Sequence, residues 1–151
     1  MPQVPVAELK DYIGKELGRS EWFTVDQQRV DQFANCTGDH QFIHIDPDKA
    51  SQTPFGGTIA HGFLSLSLLP MLMDELMIRP EGTKMGVNYG LDSLRFLQPV
   101  RVGSRVRVAA TLLDVNEKNP GQWLLKSRAV MEIEGVEKPA FIAETLALCF
   151  V

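Results

Sequence analysis

Residues 60–77 are apolar almost all the way round a helix: Phe63, Leu64, Leu66, Leu68, Leu69, Met71, Leu72, Met73, Leu76 and Met77. A helix with one apolar stripe can lie on a surface, but one without a polar face has to be enclosed. A bilayer does not supply the enclosure. A span needs about 20 predominantly apolar residues, and this run is shorter at its core and contains His61, Pro70, Asp74 and Glu75. The rest of the chain therefore has to wrap around a buried helix. Pro70 is expected to kink or weaken that helix, because proline lacks an N–H and its ring collides with the carbonyl one turn earlier.

The wrapping follows downstream. Residues 84–96, 105–117, 122–134 and 139–151 read as four strands, with Asn119-Pro120-Gly121 and Glu134-Gly135 as turn signals. Val106, Val108, Ala110 and Leu112 fall on one face, and Arg105, Arg107 and Thr111 on the other. Long strands with short turns imply an antiparallel meander, curled around the helix in an α+β architecture. Residues 141–151 are apolar on both faces, so the outer face of the last strand is also expected to be covered, by another subunit. Upstream, residues 6–17 form a short amphipathic piece with Leu9, Tyr12 and Ile13 on one side, and 18–24 a candidate first strand. Thr24 or Asp26 can cap a helix over 26–35 that presents Val30, Phe33 and Ala34, and Thr37-Gly38 ends it. Residues 39–46 show no helical period. Asp46-Pro47-Asp48 pairs a cap with proline at the first helical position and predicts a short helix. No repeat, low-complexity stretch or linker interrupts the chain, so one domain over 1–151 is expected.

Composition narrows the function classes. A net charge of −4 on 151 residues argues against a nucleic-acid binder, which would be basic. Cys36 and Cys149 are too few for a disulfide framework and read as reduced, mostly buried thiols. No basic start followed by an apolar run marks a signal peptide, so a cytoplasmic location with no membrane partner is expected.

The chemistry-bearing stretch is Gly38-Asp39-His40-Gln41-Phe42-Ile43-His44. It brings a carboxylate and an imidazole together on a short glycine-led segment, a pair that can activate one water. Alone, such a pair is more often a turn residue and a surface imidazole. Ala60-His61-Gly62 then opens the apolar helix, and a glycine there can offer a bare N–H to an oxyanion. Asp39, His40, His44, Asp46 and Asp48 fit no common zinc or calcium spacing, so no metal is expected. His61 could face a substrate, against a capping or packing role. Asn88 and Tyr89 could touch the site, against a hydrogen-bonded structural role. Arg95, Arg101, Arg105, Arg107 and Lys126 could include a phosphate patch, against a solvated strand face.

In this order the residues resemble the MaoC-like dehydratases, the hot-dog-fold (R)-specific enoyl-CoA hydratases, and within them the NodN-like branch. The signature is carried by Phe33, Thr37-Gly38-Asp39, Ile43-His44 and Ala50, then Ala60-His61-Gly62, Asn88-Tyr89-Gly90, Arg95-Phe96, Pro99-Val100, Gly103-Ser104 and Val106-Arg107. It covers roughly residues 20–108. Gln41-Phe42 stands where the family has Asn-Pro, and the NodN-like branch is similar there. The resemblance implies a single hot dog, a curved antiparallel sheet around a long central apolar helix, joined edge to edge in homodimers. It implies reversible hydration of trans-2-enoyl thioesters to (R)-3-hydroxyacyl thioesters, with Asp39 and His44 as the catalytic pair and the Gly62 N–H as oxyanion donor. Gln41, His61, Asn88 and Tyr89 are candidate substrate contacts. No metal or redox cofactor is implied, and coenzyme A or acyl-carrier protein carries the substrate. Two rivals remain, an acyl-CoA thioesterase and a non-catalytic acyl-thioester-binding protein. Thioesterases of this shape usually carry a carboxylate on the central helix, and none occurs between Gly62 and Met73.

Overall fold

Alternating burial along residues 105–133 marks the inner face of an antiparallel sheet. In chain order, the computed structural model, which describes residues 2–151, begins with β1 (Gln3–Val4), a 3-10 helix (Val6–Tyr12), β2 (Glu16–Arg19) and β3 (Phe23–Thr24). Five short helices follow: α1 (Gln27–Thr37), α2 (Phe42–Ile45), α3 (Pro47–Ser51), α4 (Gly62–Ser67) and α5 (Leu69–Met73). The chain ends with β4 (Arg79–Pro80), β5 (Met85–Phe96), β6 (Arg105–Asn119), β7 (Gln122–Ile133) and β8 (Val136–Phe150).

The main sheet runs β2-β6-β7-β8-β5, with β3 extending β2's partnership on β6. Val106, Val108, Ala110 and Leu112 of β6 are fully buried, as their alternation predicts. β6, β7 and β8 form a meander, with Val108 opposite Met131 and Ala129 opposite Ala143. The expectation of a four-strand meander is corrected at β5. It lies beyond β8 at the far edge, with Phe96 opposite Phe141, and the chain crosses the sheet to begin β6. Turn signals report where strands end, not which neighbour they choose, and β8 offers β5 a long apolar partner.

The central helix is also shorter than the continuous run over 60–77. Leu68 forms the joint between α4 and α5, its N–H shared between the Leu64 and Ser65 carbonyls. Pro70 sits in the first turn of α5, where its missing N–H costs no bond. Leu64, Leu68, Leu69, Leu72 and Met73 are buried against Val106, Val108, Met131 and Phe141. Each such side chain contributes about 1.5–3 kcal/mol on burial. A second cluster, Leu9, Ile78, Leu112, Val115 and Leu125, closes the other end of the sheet under the 3-10 helix.

The enclosure is incomplete within one chain. Phe63 is 69% exposed, and Ser67, Pro70 and Met71 on the same side of the helix are exposed too. β5 is exposed along nearly its whole length, including Met85, Val87, Tyr89, Leu91 and Phe96. On β8, Phe141 and Ala143 are buried but Ile142 between them is open. Among the described residues no helix is long and apolar enough to cross a membrane.

Candidate active site

The α1 helix delivers Asp39 by its ending. Asp26 caps the start, accepting from the Arg29 N–H at 2.8 Å. Gly38 ends it with φ 85°, its N–H on the Ala34 carbonyl. The left-handed residue turns the chain out, and Asp39 is the first residue beyond. Its Oδ1 accepts from the Gln41 N–H at 3.2 Å, a local turn that starts α2. Residues 39–46, expected without helix, thus hold one helical turn that swings His44 inward. Asp46 then caps α3 with Pro47 in its first turn, as its sequence predicts.

His44 is buried at 6% exposure, and its Nδ1 lies 2.7 Å from the Ile59 carbonyl. A carbonyl can only accept, so Nδ1 carries the hydrogen and the neutral ring keeps its lone pair on Nε2. Burial pushes the His44 pKa below its ordinary value; the Ile59 carbonyl and the Asp39 charge oppose this, and nearby His61 adds to it. The His44 backbone is held too. The Gln27 amide donates to the His44 carbonyl at 2.7 Å and to Asp31 at 2.8 Å, and accepts from the Thr58 hydroxyl at 2.7 Å.

His61, just before α4, is 3% exposed and lies face to face with His44, ring centroids 3.8 Å apart and planes 24° apart. An oxygen of Asp39 and one nitrogen from each of His44 and His61 fall within 4.8 Å of one another. This cluster invites a metal reading, which the rings oppose. Two nearly parallel rings face to face aim their in-plane lone pairs past each other, so they do not converge at nitrogen–metal bond length, about 2 Å.

Gly62 begins α4 and shares with His44 a cavity of about 320 Å³, lined also by Ser65, Phe96 and Phe141. A Cβ at Gly62 would lie 3.0 Å from the Phe96 ring, so any other residue there would press on that ring. A groove of about 910 Å³ runs beside the helix between Phe33, Phe63, Met73 and β5. Asn88 and Tyr89 line that groove rather than the His44 cavity, and Lys118 donates to the Tyr89 hydroxyl. The fold thus brings together Asp39, His44 and His61, sets Gly62 beside them, uses Gln41 through its backbone, and leaves Asn88 and Tyr89 apart. The basic strand residues resolve toward the solvated face: Arg105 pairs with Glu134, Arg107 with Glu132, and Lys126 with Asp92 and Glu144. Sequence reasoning missed buried Ser65, the Gln27–Thr58 clamp and the Ile59 carbonyl. Only Ser65 had a signal, a polar residue one turn beyond Gly62 on an apolar helix.

Comparison with known proteins places the fold. The MaoC like domain family matches residues 8–130. The chain is 45% identical over 141 residues to 3-hydroxyacyl-thioester dehydratase Z of Mycobacterium tuberculosis, covering 93% of each. It is 44% identical over 149 residues to nodulation protein N of Rhizobium leguminosarum bv. viciae, covering 98% of this chain and 92% of that one. The fold superposes on the (R)-hydratase from A. caviae involved in PHA biosynthesis with a TM-score of 0.73 at 25% identity, covering 89% and 94%. A bent antiparallel sheet around a short apolar helix, with an aspartate and a histidine converging at that helix's start, is therefore a hot dog of known lineage, and the chain belongs to the MaoC-like domain family.

Proposed function

We propose that the protein catalyses reversible hydration of trans-2-enoyl thioesters to (R)-3-hydroxyacyl thioesters, with Asp39 and His44 acting together on one water. The observation that carries this is the hydrogen bond of His44. Its Nδ1–H is committed to the Ile59 carbonyl, which leaves the lone pair on Nε2 of a ring that lines the cavity and has one nitrogen within 4.8 Å of an Asp39 carboxylate oxygen. Water held by both groups loses a proton to Nε2 as its oxygen bonds to the β carbon. The electron pair of the enoyl double bond moves onto the thioester oxygen. The proton then passes from Nε2 to the α carbon on the same face, and the thioester carbonyl reforms. The charge on the oxygen in between needs donors, and the Gly62 N–H at the start of α4 supplies one. The acyl group keeps its oxidation level, so the cycle needs no redox cofactor. Coenzyme A or acyl-carrier protein carries the substrate.

The working unit is a homodimer joined along β5. Two features support this: β5 is an unpaired edge of twelve residues, which isolated proteins normally shorten or shield, and the open side of the central helix faces the same groove. Sedimentation of the wild type as a dimer, and of a Leu91→Lys variant as a monomer, is the expected result.

The reaction is tested by following the loss of enoyl absorbance of crotonyl-CoA, with Asp39→Asn and His44→Ala alongside. Activity unaffected by either substitution would sink the assignment. Release of free thiol instead would identify a thioesterase, and tight binding without turnover an acyl-thioester-binding protein.

A further inference from the structure

His61 is buried beyond what a helix-start residue needs, and its side chain makes no cap hydrogen bond. Its Nε2 lies 2.9 Å from the Asp39 carbonyl, so Nε2 carries a hydrogen and donates it. The same nitrogen is 4.0 Å from Asp39 Oδ2. One face of the ring lies on His44, and Phe33 packs against it at 4.9 Å. Nδ1 is buried without a hydrogen-bond partner among the described residues. A buried lone pair left unsatisfied costs free energy, and a phenyl ring would fill this space without that cost. The imidazole therefore does something there that packing does not require.

We propose that His61 is a positioning residue that sets the orientation of Asp39 relative to His44, by its hydrogen bond to the Asp39 carbonyl and by its stack on the His44 ring. The inference rests on the hydratase reading for its consequence, but not for its geometry. Asp39 needs such a tether, because its side chain is 54% exposed and it follows a helix end. Its carboxylate accepts from the Gln41 N–H, only two residues on. His61 ties this exposed member of the pair to the start of α4, and so to the Gly62 N–H next in the chain. His44 is restrained by the same ring. With Nδ1 on the Ile59 carbonyl and one face on His61, the imidazole has one orientation left, and its Nε2 points one way. Base, carboxylate and oxyanion donor are thereby registered on a single side chain.

Two substitutions separate the parts. His61→Phe keeps a stacking ring and loses the donor. His61→Gln places its amide nitrogen near the position of Nε2, keeping the donor and losing the stack. With crotonyl-CoA, His61→Phe is expected to lower kcat about 10–100-fold with KM within about threefold, as a misplacement of about 1 Å would. His61→Gln is expected to recover part of that loss. A His61→Phe enzyme with wild-type kcat, or one altered only in KM, would overturn the proposal. So would equal losses in both variants accompanied by a lowered Tm, the mark of packing alone. Nitrogen-15 NMR of the ring nitrogens supplies a readout independent of turnover, since the chain has only three histidines. The wild type is expected to show His61 as the Nε2–H tautomer and His44 as the Nδ1–H tautomer. The opposite tautomer at His61 would overturn the proposal whatever the activity. An inactive wild type with the expected tautomers would sink the hydratase reading and leave the positioning geometry standing.

Discussion

In the proposed reaction His44 and Asp39 form one chemical unit, but they stand in two physical settings. His44 is inside, held at its ring by the Ile59 carbonyl, at its backbone by Gln27 and on one face by His61. Asp39 is outside, just past a helix end, with its carboxylate largely in contact with solvent. The difference teaches how the work is divided. Burial holds the imidazole neutral and fixed, which is what a base at neutral pH requires. Exposure leaves the carboxylate hydrated, able to hold a water where substrate and solvent meet.

Breaking the fixed side should cost most. His44→Ala removes the base, and a positioned general base contributes about 10²–10⁴-fold, so kcat for crotonyl-CoA hydration is expected to fall by that range. The exposed side comes next. Asp39→Asn keeps an acceptor for the Gln41 N–H and removes the charge, and should lower kcat about 10²-fold, the low end of such effects. Because the residue is exposed, its unfolding free energy should stay within about 0.5 kcal/mol of wild type by urea titration. Gly62→Ala probes the wall between the two settings. Its Cβ would press on the Phe96 ring, which is nearly half exposed and able to swing. The expected result is about a tenfold loss in kcat/KM, below the 10²–10³ of losing an oxyanion donor outright.

The smallest effect is a pH dependence. The His44 pKa is lowered in the fold, chiefly by burial. On acidification the unfolded chain binds a proton near the ordinary histidine value of about 6.5, while the native state does not until lower pH. This contribution to stability is therefore complete above about 6.5 and is lost as pH falls from there through the native pKa. The acid limb of kcat/KM should likewise lie below about 6.5. Urea midpoints of the wild type and His44→Gln across pH 5–8 check the first point, the variant lacking this component.

What was legible in the sequence was local. The Thr37-Gly38 helix end, the Asp46-Pro47 cap and the alternation along β6 each depend on residues a few positions apart, and each stands where its pattern placed it. The proline interruption was legible as well, though not the early end of α5 at Met73, which tertiary packing decides. The place of β5 beside β8 was not legible, because turn chemistry does not encode strand order. Nor was the stack of His61 on His44, which depends on α2 and α4 meeting across seventeen residues of chain. The Ile59 carbonyl that fixes the His44 tautomer is a backbone group, and no residue type announces it. Asp39 and His44 could be named from their motif; the reason they differ as a buried and an exposed partner is a property of the fold.

The central claim, that Asp39 and His44 act as one unit on one water, is tested most directly by a double-mutant cycle. The kcat of Asp39→Asn, His44→Ala and the double variant would be measured with crotonyl-CoA. Residues that act as a unit are strongly non-additive, so the double variant is predicted to lie within about threefold of the slower single variant. A double variant slowed by the product of the two single losses would mean that the residues act independently, and would contradict the account.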